Sequence, residues 1–565
     1  MLTRRDFVQV TAATGAFFAT GGLGAAAAVQ AITQAKLLEF EPVGKITLLH
    51  FTDIHAQLVP LYFREPAINI GVGEDAGTPP HLTGQHFLEY FKIAPGTPSA
   101  YSLTMDDYFA LAAEYGRMGG LDRLATLINA IRASRPGTLL LDGGDSWQGS
   151  YTSLKERGAD MVTAMNVLGV DAMTGHWEFT YGTDRVNELI KQLKFPFLAG
   201  NVQDTTWENW VFESTKIFER NGVRIAVIGQ AFPYTAIANP AWLIPQWSFG
   251  IHEKRVQQEV NAARGKADVV VLLSHNGFDV DKKLAARVSG IDVILGGHTH
   301  DAVPAPTKIG KTLIVASGSH GKFLSRLDLD VKSGGIADYR YRLIPIFSDA
   351  IVPDPKMAAT IAQVRNPYAS DLGQILAHTD SLLYRRGNFN GTFDDLICDA
   401  LLQEQNVQIA MSPGFRWGAT LLPGQPITLE DLYNQTAITY PASYRTTMTG
   451  ETLKGIFEDV ADNIFNPDPY YQQGGDMVRV GGLSYRIDVS KPIGSRISEM
   501  RLLPSGVLLD PHKSYTVSGW ASVREGTQGP PIYDLVQHYL QSQKVVKVPE
   551  RQNVGIIAAD PRGIA

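Results

Sequence analysis

Cysteine is almost absent: Cys398 is the single one in 565 residues. An internal disulfide and a thiolate metal site are therefore both excluded, and any metal site must draw on the 13 His and on carboxylates. Positive charge is in deficit as well. The chain carries 50 Lys and Arg against 57 Asp and Glu, a formal net charge of -7 and a pI near 6.0. That balance argues against a general nucleic-acid binder but leaves room for a local basic pocket. Beyond the N-terminal segment no apolar run reaches the roughly 18 residues that a membrane span needs. Internal repeats are missing, as is low-complexity sequence outside that segment. What is present is core-forming material: 44% hydrophobic and 19% charged residues. At about 100–200 residues per domain this length calls for two or more domains.

The N-terminus reads as an address. Thr3-Arg4-Arg5-Asp6-Phe7-Val8 form a twin-arginine pattern, followed by an Ala/Gly-rich apolar stretch from Val10 to about Val29 with small residues near Ala28–Ala31. This predicts a signal peptide over 1–31, cleaved on export to the periplasm by the twin-arginine route; the other reading is an uncleaved anchor. That route carries folded cargo, which suits a chain without disulfides and one loaded with a cofactor in the cytoplasm.

Apolar strands are predicted at 45–52, 138–141, 197–199, 223–228, 269–273 and 293–295. Helices are predicted at 119–133, 184–194, 254–264 and 281–288. This alternation implies an α/β layered domain over 40–352. Residues 60–118 read as a long insertion, irregular from 60 to 110. Pro353 and Pro355 mark a break, 353–375 reads as a linker with a helix at Lys356–Asp371, and 376–550 is long enough for a second α/β domain.

The chemistry sits in short polar segments at strand ends. They are Asp53-Ile54-His55, Gly143-Gly144-Asp145, Gly175-His176-Trp177-Glu178, Ser274-His275-Asn276 and Gly296-Gly297-His298-Thr299-His300. Ligands in α/β sheets gather at the carboxyl ends of strands. Asp-x-His and His-x-His each put a pair of donors on one side of an extended segment. The glycines before Asp145 and His298 let the backbone turn sharply. Asp53, His55, Asp145, His176, His275, His298 and His300, with Asp145 bridging, supply four ligands to each of two ions and leave positions open for water and substrate.

This pattern resembles the calcineurin-like metallophosphoesterases, in the branch of exported 5′-nucleotidases. The resemblance covers nearly the whole mature chain. It implies a four-layer metallophosphoesterase domain of β-sheets flanked by helices, a bridging helix and a smaller 5′-nucleotidase-like C-terminal domain. It implies one ion held by Asp53, His55, Asp145 and His300, another held by Asp145, His176, His275 and His298, and a hydroxide between them as nucleophile. Members of this family carry Gly-Asn-His-Glu at the third segment. Here His176 takes the ligand position and Trp177 the position of the catalytic His, where an indole cannot act as a general acid near neutral pH. The purine-stacking Gly-Gly-Asp-Gly-Tyr-like segment is also missing from Trp520–Pro531.

With Leu49–Leu58, Gly143–Gly149 and Gly175–Gly182, those departures resemble the SoxB thiosulfohydrolase subfamily of periplasmic sulfur oxidation. The resemblance implies hydrolysis of the sulfonate from a cysteine S-thiosulfonate on the SoxYZ carrier protein, with release of sulfate. It implies two Mn2+ ions per chain, a transient carrier contact and a monomer, with Trp177 and Arg416 serving substrate binding and catalysis beside Asp145. A persulfide leaving group needs little proton donation, which makes the loss of the catalytic His tolerable. The alternatives are a periplasmic 5′-nucleotidase-like phosphoesterase and a metal-binding scaffold without turnover. Arg416, in Ser412–Gly418, is read as holding the anionic substrate, or else as an interdomain salt bridge. Asn201 and Glu178 are candidate supports for metal ligands; a turn Asn is the other reading of Asn201. Cys398 is read as core packing. The 60–118 insertion is expected to wall a narrow entrance to the ions.

Overall fold

The computed structural model describes residues 32–565, so the expected twin-arginine signal lies outside the described residues. The N-terminal region contains two sheets. One runs Gly335–Pro345, Phe323–Lys332, Ile46–Phe51, Thr138–Asp142, Ala172–Met173; the other runs Thr307–Ile309, Thr312–Ala316, Val293–Gly296, Val269–Ser274, Val223–Gln230, Thr215–Arg220. Their central strands are parallel.

The continuous apolar runs are explained by burial on both faces. Ile46, Leu48, Val269, Val271 and Leu273 point between the sheets into one shared core. Leu49 and Phe51 point the other way, against helices such as Leu121–Ser134. Val270 and Leu272 do the same on the far sheet, against Glu253–Arg264 and Phe278–Arg287. The order is helix, sheet, sheet, helix: the four layers expected. The C-terminal region is a smaller α/β unit. Its main sheet runs Ser443–Thr449, Ser514–Trp520, Ile409–Gly414, Asp476–Gly481, with Thr392–Glu404 in one adjoining core and Gly450–Phe465 in another. Among the described residues no helix is long and apolar enough to cross a membrane.

Three local expectations differ from the structure. The segment from 60 to 110 is not irregular: it holds helices at Gly84–Phe91, Pro98–Leu103 and, running past it, Tyr108–Tyr115. These are too short for periodicity to register, although Thr97 caps the second and Pro98 occupies its first turn. Phe197–Ala199 makes only isolated bridges, to Met173 and Glu213. The helix expected at Lys356–Asp371 runs as Pro355–Arg365 and then breaks into a 3-10 turn at Asn366–Tyr368. Pro367 lacks the N–H that continuation requires.

Candidate metal centre

All the chemistry-bearing segments leave the carboxyl ends of parallel strands, from both sheets. Asp53 and His55 follow Ile46–Phe51, Asp145 follows Thr138–Asp142, His275 follows Val269–Ser274, and His298 and His300 follow Val293–Gly296. His176 follows Ala172–Met173, a strand too short to read from sequence. The loops turn abruptly: φ is 52° at Asp53, 48° at His55, 56° at Asp145, 77° at His298 and 60° at His300. Left-handed backbone at non-glycine residues costs about 1–3 kcal/mol each and persists only when neighbours over-determine it. Here the loops are laced together. Asp53 N–H donates to Gly144 O at 2.8 Å, His55 N–H to Asp145 O at 2.8 Å and Ala56 N–H to Ser146 O at 3.1 Å. Gly297 is needed for close approach, since a Cβ there would lie 2.5 Å from Thr52 Oγ1 and 2.9 Å from His275 Nδ1.

The seven side chains converge in two buried groups that share Asp145. One is Asp145, His176, His275 and His298; the other is Asp53, His55, Asp145 and His300, with donor atoms within 4.8 Å of one another in each. Asp145 Oδ2 lies 3.1 Å from His275 Nε2 and 3.3 Å from His176 Nδ1, and Asp53 Oδ1 lies 3.2 Å from His300 Nε2. His55 Nε2 and His300 Nε2 face each other at 3.0 Å. Two of the rings are oriented by carbonyls: His275 Nδ1 sits 2.6 Å from Gly143 O, and His55 Nδ1 3.2 Å from Gln148 O.

Burial and neighbouring imidazoles hold His298 and His300 well below the ordinary histidine value, as neutral donors. Burial opposes charge on His275, yet Asp145 and Asp53 lift it to about 10. Burial also opposes the Asp145 carboxylate, but His176 and His275 bring it well below its usual value. Two buried carboxylates thus call for positive charge at their centre. Both ring nitrogens of His176, Nε2 of His275 and His298, and Nδ1 of His300 are buried without a hydrogen-bond partner. Inward-facing imidazole lone pairs and shared carboxylates fit a dinuclear divalent-metal site.

Trp177 and Arg416 both line the pocket over these groups, together with Ala238, Phe415, Trp417 and the 473–476 loop. Trp177 N–H donates to Asp145 Oδ1 at 2.6 Å. Its indole packs edge-on against Phe415 and Trp417, at 5.3 and 4.8 Å between ring centroids. Arg416 reaches His298 O at 3.3 Å and Gly475 O at 2.7 Å, and its Nε is 3.5 Å from Asp476 Oδ1. It is therefore both a pocket residue and part of an interdomain contact. Glu178 supports the ligands through the main chain, not through an imidazole. It accepts from the N–H groups of Asp145, Ser146, Trp147 and His176 at 2.7–3.2 Å. Asn201 reaches no ligand; it clamps Ala231 and Gly250, beside Phe232, whose ring stacks on His298 at 4.0 Å. Cys398 is buried, and burial pushes its thiol up, as packing implies.

The expected role of the 60–118 insertion is corrected: none of its residues lines the metal pocket. A bridge between Leu61 and Met118 closes it off shortly after His55, and Asn69–Val72, Pro80 and His81 border a neighbouring cavity instead. Sequence reading also passed over His320. It lies in Gly318-Ser319-His320-Gly321, after the apolar strand Thr312–Ala316, with the same signature as the ligands. Its N–H donates to Asp53 O at 2.8 Å, and its Nε2 accepts from Gly418 N–H at 3.2 Å, tying the Trp417 loop to the first ligand loop. Trp417 stacks on His55 at 5.5 Å between centroids; no sequence pattern announced that contact.

Residues 46–302 match the calcineurin-like phosphoesterase family, and residues 375–536 match the 5′-nucleotidase C-terminal domain. Bovine (Bos taurus) 5′-nucleotidase is 26% identical over 434 residues, 68% of this chain and 73% of its own. A 5′-nucleotidase precursor from Thermus thermophilus shares the fold, with a TM-score of 0.71 at 22% identity, covering 91% of this chain and 99% of that one. The Thermus thermophilus sulfate thiohydrolase SoxB, solved with glycerol, superposes with a TM-score of 0.89 at 38% identity, over 92% of this chain and 98% of that one. With this likeness along nearly its full length and two buried ligand groups that fit a dinuclear metal site, the chain belongs to the SoxB sulfate thiohydrolase family, a metal-dependent hydrolase branch of the calcineurin-like phosphoesterases.

Proposed function

We propose that this protein is a periplasmic thiosulfohydrolase. Its substrate is a cysteine S-thiosulfonate on a SoxYZ-type carrier protein, met transiently by a monomer, and its products are sulfate and a carrier persulfide. Water adds to the terminal sulfonate sulfur, the sulfur–sulfur bond breaks, and the persulfide sulfur leaves with the electron pair. The observation that carries this reading is the third motif segment, where His176 joins the metal group and Trp177 puts an indole in the pocket wall. A hydrolysis with no protein acid at that position suits a leaving group that departs as an anion.

Asp53, His55, Asp145, His176, His275, His298 and His300 would hold two Mn2+ ions. Bound there, divalent cations supply Lewis acidity and water of lowered pKa. The chain's own groups do the rest. Arg416 pairs with the anionic sulfonate and aligns it. Trp177, Phe415 and Trp417 form an apolar slot that keeps bulk water from the reacting sulfur. Glu178 keeps the Asp145 and His176 backbones in register. Export by the twin-arginine route fits a metal low in the divalent affinity order, loaded before the protein meets competing ions.

The second reading, a 5′-nucleotidase-like phosphoesterase, draws on the C-terminal domain match. Supplying the manganese-loaded protein with a sulfonated carrier and, separately, with a nucleotide decides between them. Sulfate release from the carrier without phosphate release from the nucleotide is expected; phosphate alone would overturn the proposal.

A further inference from the structure

Arg416 stands between two cavities. One is the metal pocket; the other is a neighbouring cavity that shares Arg416, His298 and Gly474 with it and that the hydrolysis leaves unused. The N-terminus of the ten-residue helix Phe278–Arg287 opens into this second cavity. Among the described residues the N–H groups of Phe278, Asp279 and Val280 have no hydrogen-bond partner, and no side chain caps that end. Free first-turn amides at the positive end of a helix favour an anion.

Arg386 and the largely buried His81 line the same cavity. Arg386 is 5% exposed. It donates from one terminal nitrogen to Thr299 O at 2.9 Å, and its Nε is buried with no partner. His81 Nε2 lies 2.8 Å from Asp279 Oδ2, while its Nδ1 is buried and unpartnered. Burial opposes charge on His81, but the Asp279 carboxylate raises it above the ordinary value, so both ring nitrogens are donors when it is charged.

The carboxylates at the cavity, Asp279 and Asp301, are engaged: the first by His81, the second by Asn69 at 3.1 Å and Arg386 at 3.6 Å. Among the buried side-chain acceptors there, Asp279 Oδ1 and Asn276 Oδ1 have no hydrogen-bond partner, and Lys282 Nζ lies 4.0 Å from the first. Against them stand Arg386 Nε, His81 Nδ1, three helix amides and the flank of Arg416. That donor surplus, reached from several directions, matches what a tetrahedral oxyanion presents.

We propose that this cavity is a second oxyanion site, which receives sulfate as it leaves the metal pocket past Arg416. The identity of the anion rests on the hydrolase reading; the site itself does not. The test is equilibrium dialysis of radiolabelled sulfate against the full-length, manganese-loaded protein, with inorganic phosphate as competitor. Wild type should bind about two sulfate ions per chain and Arg386→Met about one, with unchanged metal content. Arg386→Lys, which keeps the charge but loses the fork, should weaken the second site about tenfold. A single sulfate in wild type overturns the proposal whatever the variants do, and so do two equal sites in Arg386→Met. Hydrolysis is assayed in parallel. Two bound sulfates without hydrolysis overturn the hydrolase reading alone; one sulfate with hydrolysis intact overturns the second site alone.

Discussion

On the N-terminal side of the pocket every donor sits a few residues beyond the end of a strand, in loops that hydrogen-bond directly to one another. On the C-terminal side Arg416 is held by distant residues. His298 is 118 positions away and Asp476 is 60, and Asp476 is in turn fixed by Arg479 at 3.0 Å, which leans on Asp394 and through it on Arg385. The first wall is made of local geometry and the second of a buried alternation of guanidinium and carboxylate. A local wall fails all at once when a shared donor is removed, because the loops depend on common atoms. A networked wall should fail by degrees, since each member keeps other partners.

The sharpest way to break the contrast is Asp145→Asn. It removes an anionic donor from both groups at once, so both metals and all measurable hydrolysis should be lost; elemental analysis showing two metals retained would contradict a shared role. Chelation of wild type should have the same effect on activity and also lower the melting temperature, because buried carboxylates lose their cations. Arg416→Ala comes next. Loss of a charged donor to the developing anion costs about 10²–10³-fold in kcat, with metal content unchanged; equal rates would leave the arginine a purely structural part. Asp476→Asn should fall between wild type and Arg416→Ala. It leaves the guanidinium in place but badly aimed, for about a 10–100-fold loss, seen as a rise in KM together with a lower kcat, with both metals present. A loss as large as that of Arg416→Ala would mean that the network collapses as a unit. The smallest effect is expected for the pair His176→Asn with Trp177→His, which restores the family's usual residues. Both metals should stay, and sulfate release from the carrier should fall about tenfold or less as the apolar wall is opened. A wild-type rate would show that Trp177 has no specific role.

These two walls also differ in how much of them could be read before folding. Apart from His176, the metal-side residues follow an apolar run; Asp53 with His55 and His298 with His300 come as paired donors, glycines precede Asp145 and His298, and the strand ends bring them together. His176 was legible only through its motif, because two residues of strand leave no periodic signal. His320 carries the same signature, yet in the fold it ties the Trp417 loop to the first ligand loop and joins neither metal group. The helices within 84–115 escaped because each is short, and the insertion's position was misjudged because nothing local indicates the Leu61–Met118 bridge that turns it away.

Sequence by itself determined the layered α/β class and picked out the seven side chains that gather into two buried groups. Both follow from side-chain period and the fixed projection of a strand end, which depend on neighbours in the chain. Only the tertiary structure decided that Arg416 faces two cavities, that Trp417 lies on His55, that Glu178 serves backbone amides and that Asn201 serves a distant turn. Those arrangements pair residues tens to hundreds of positions apart, and their partners are chosen by how the two domains pack, where a buried guanidinium or amide must find whatever acceptor the fold places beside it.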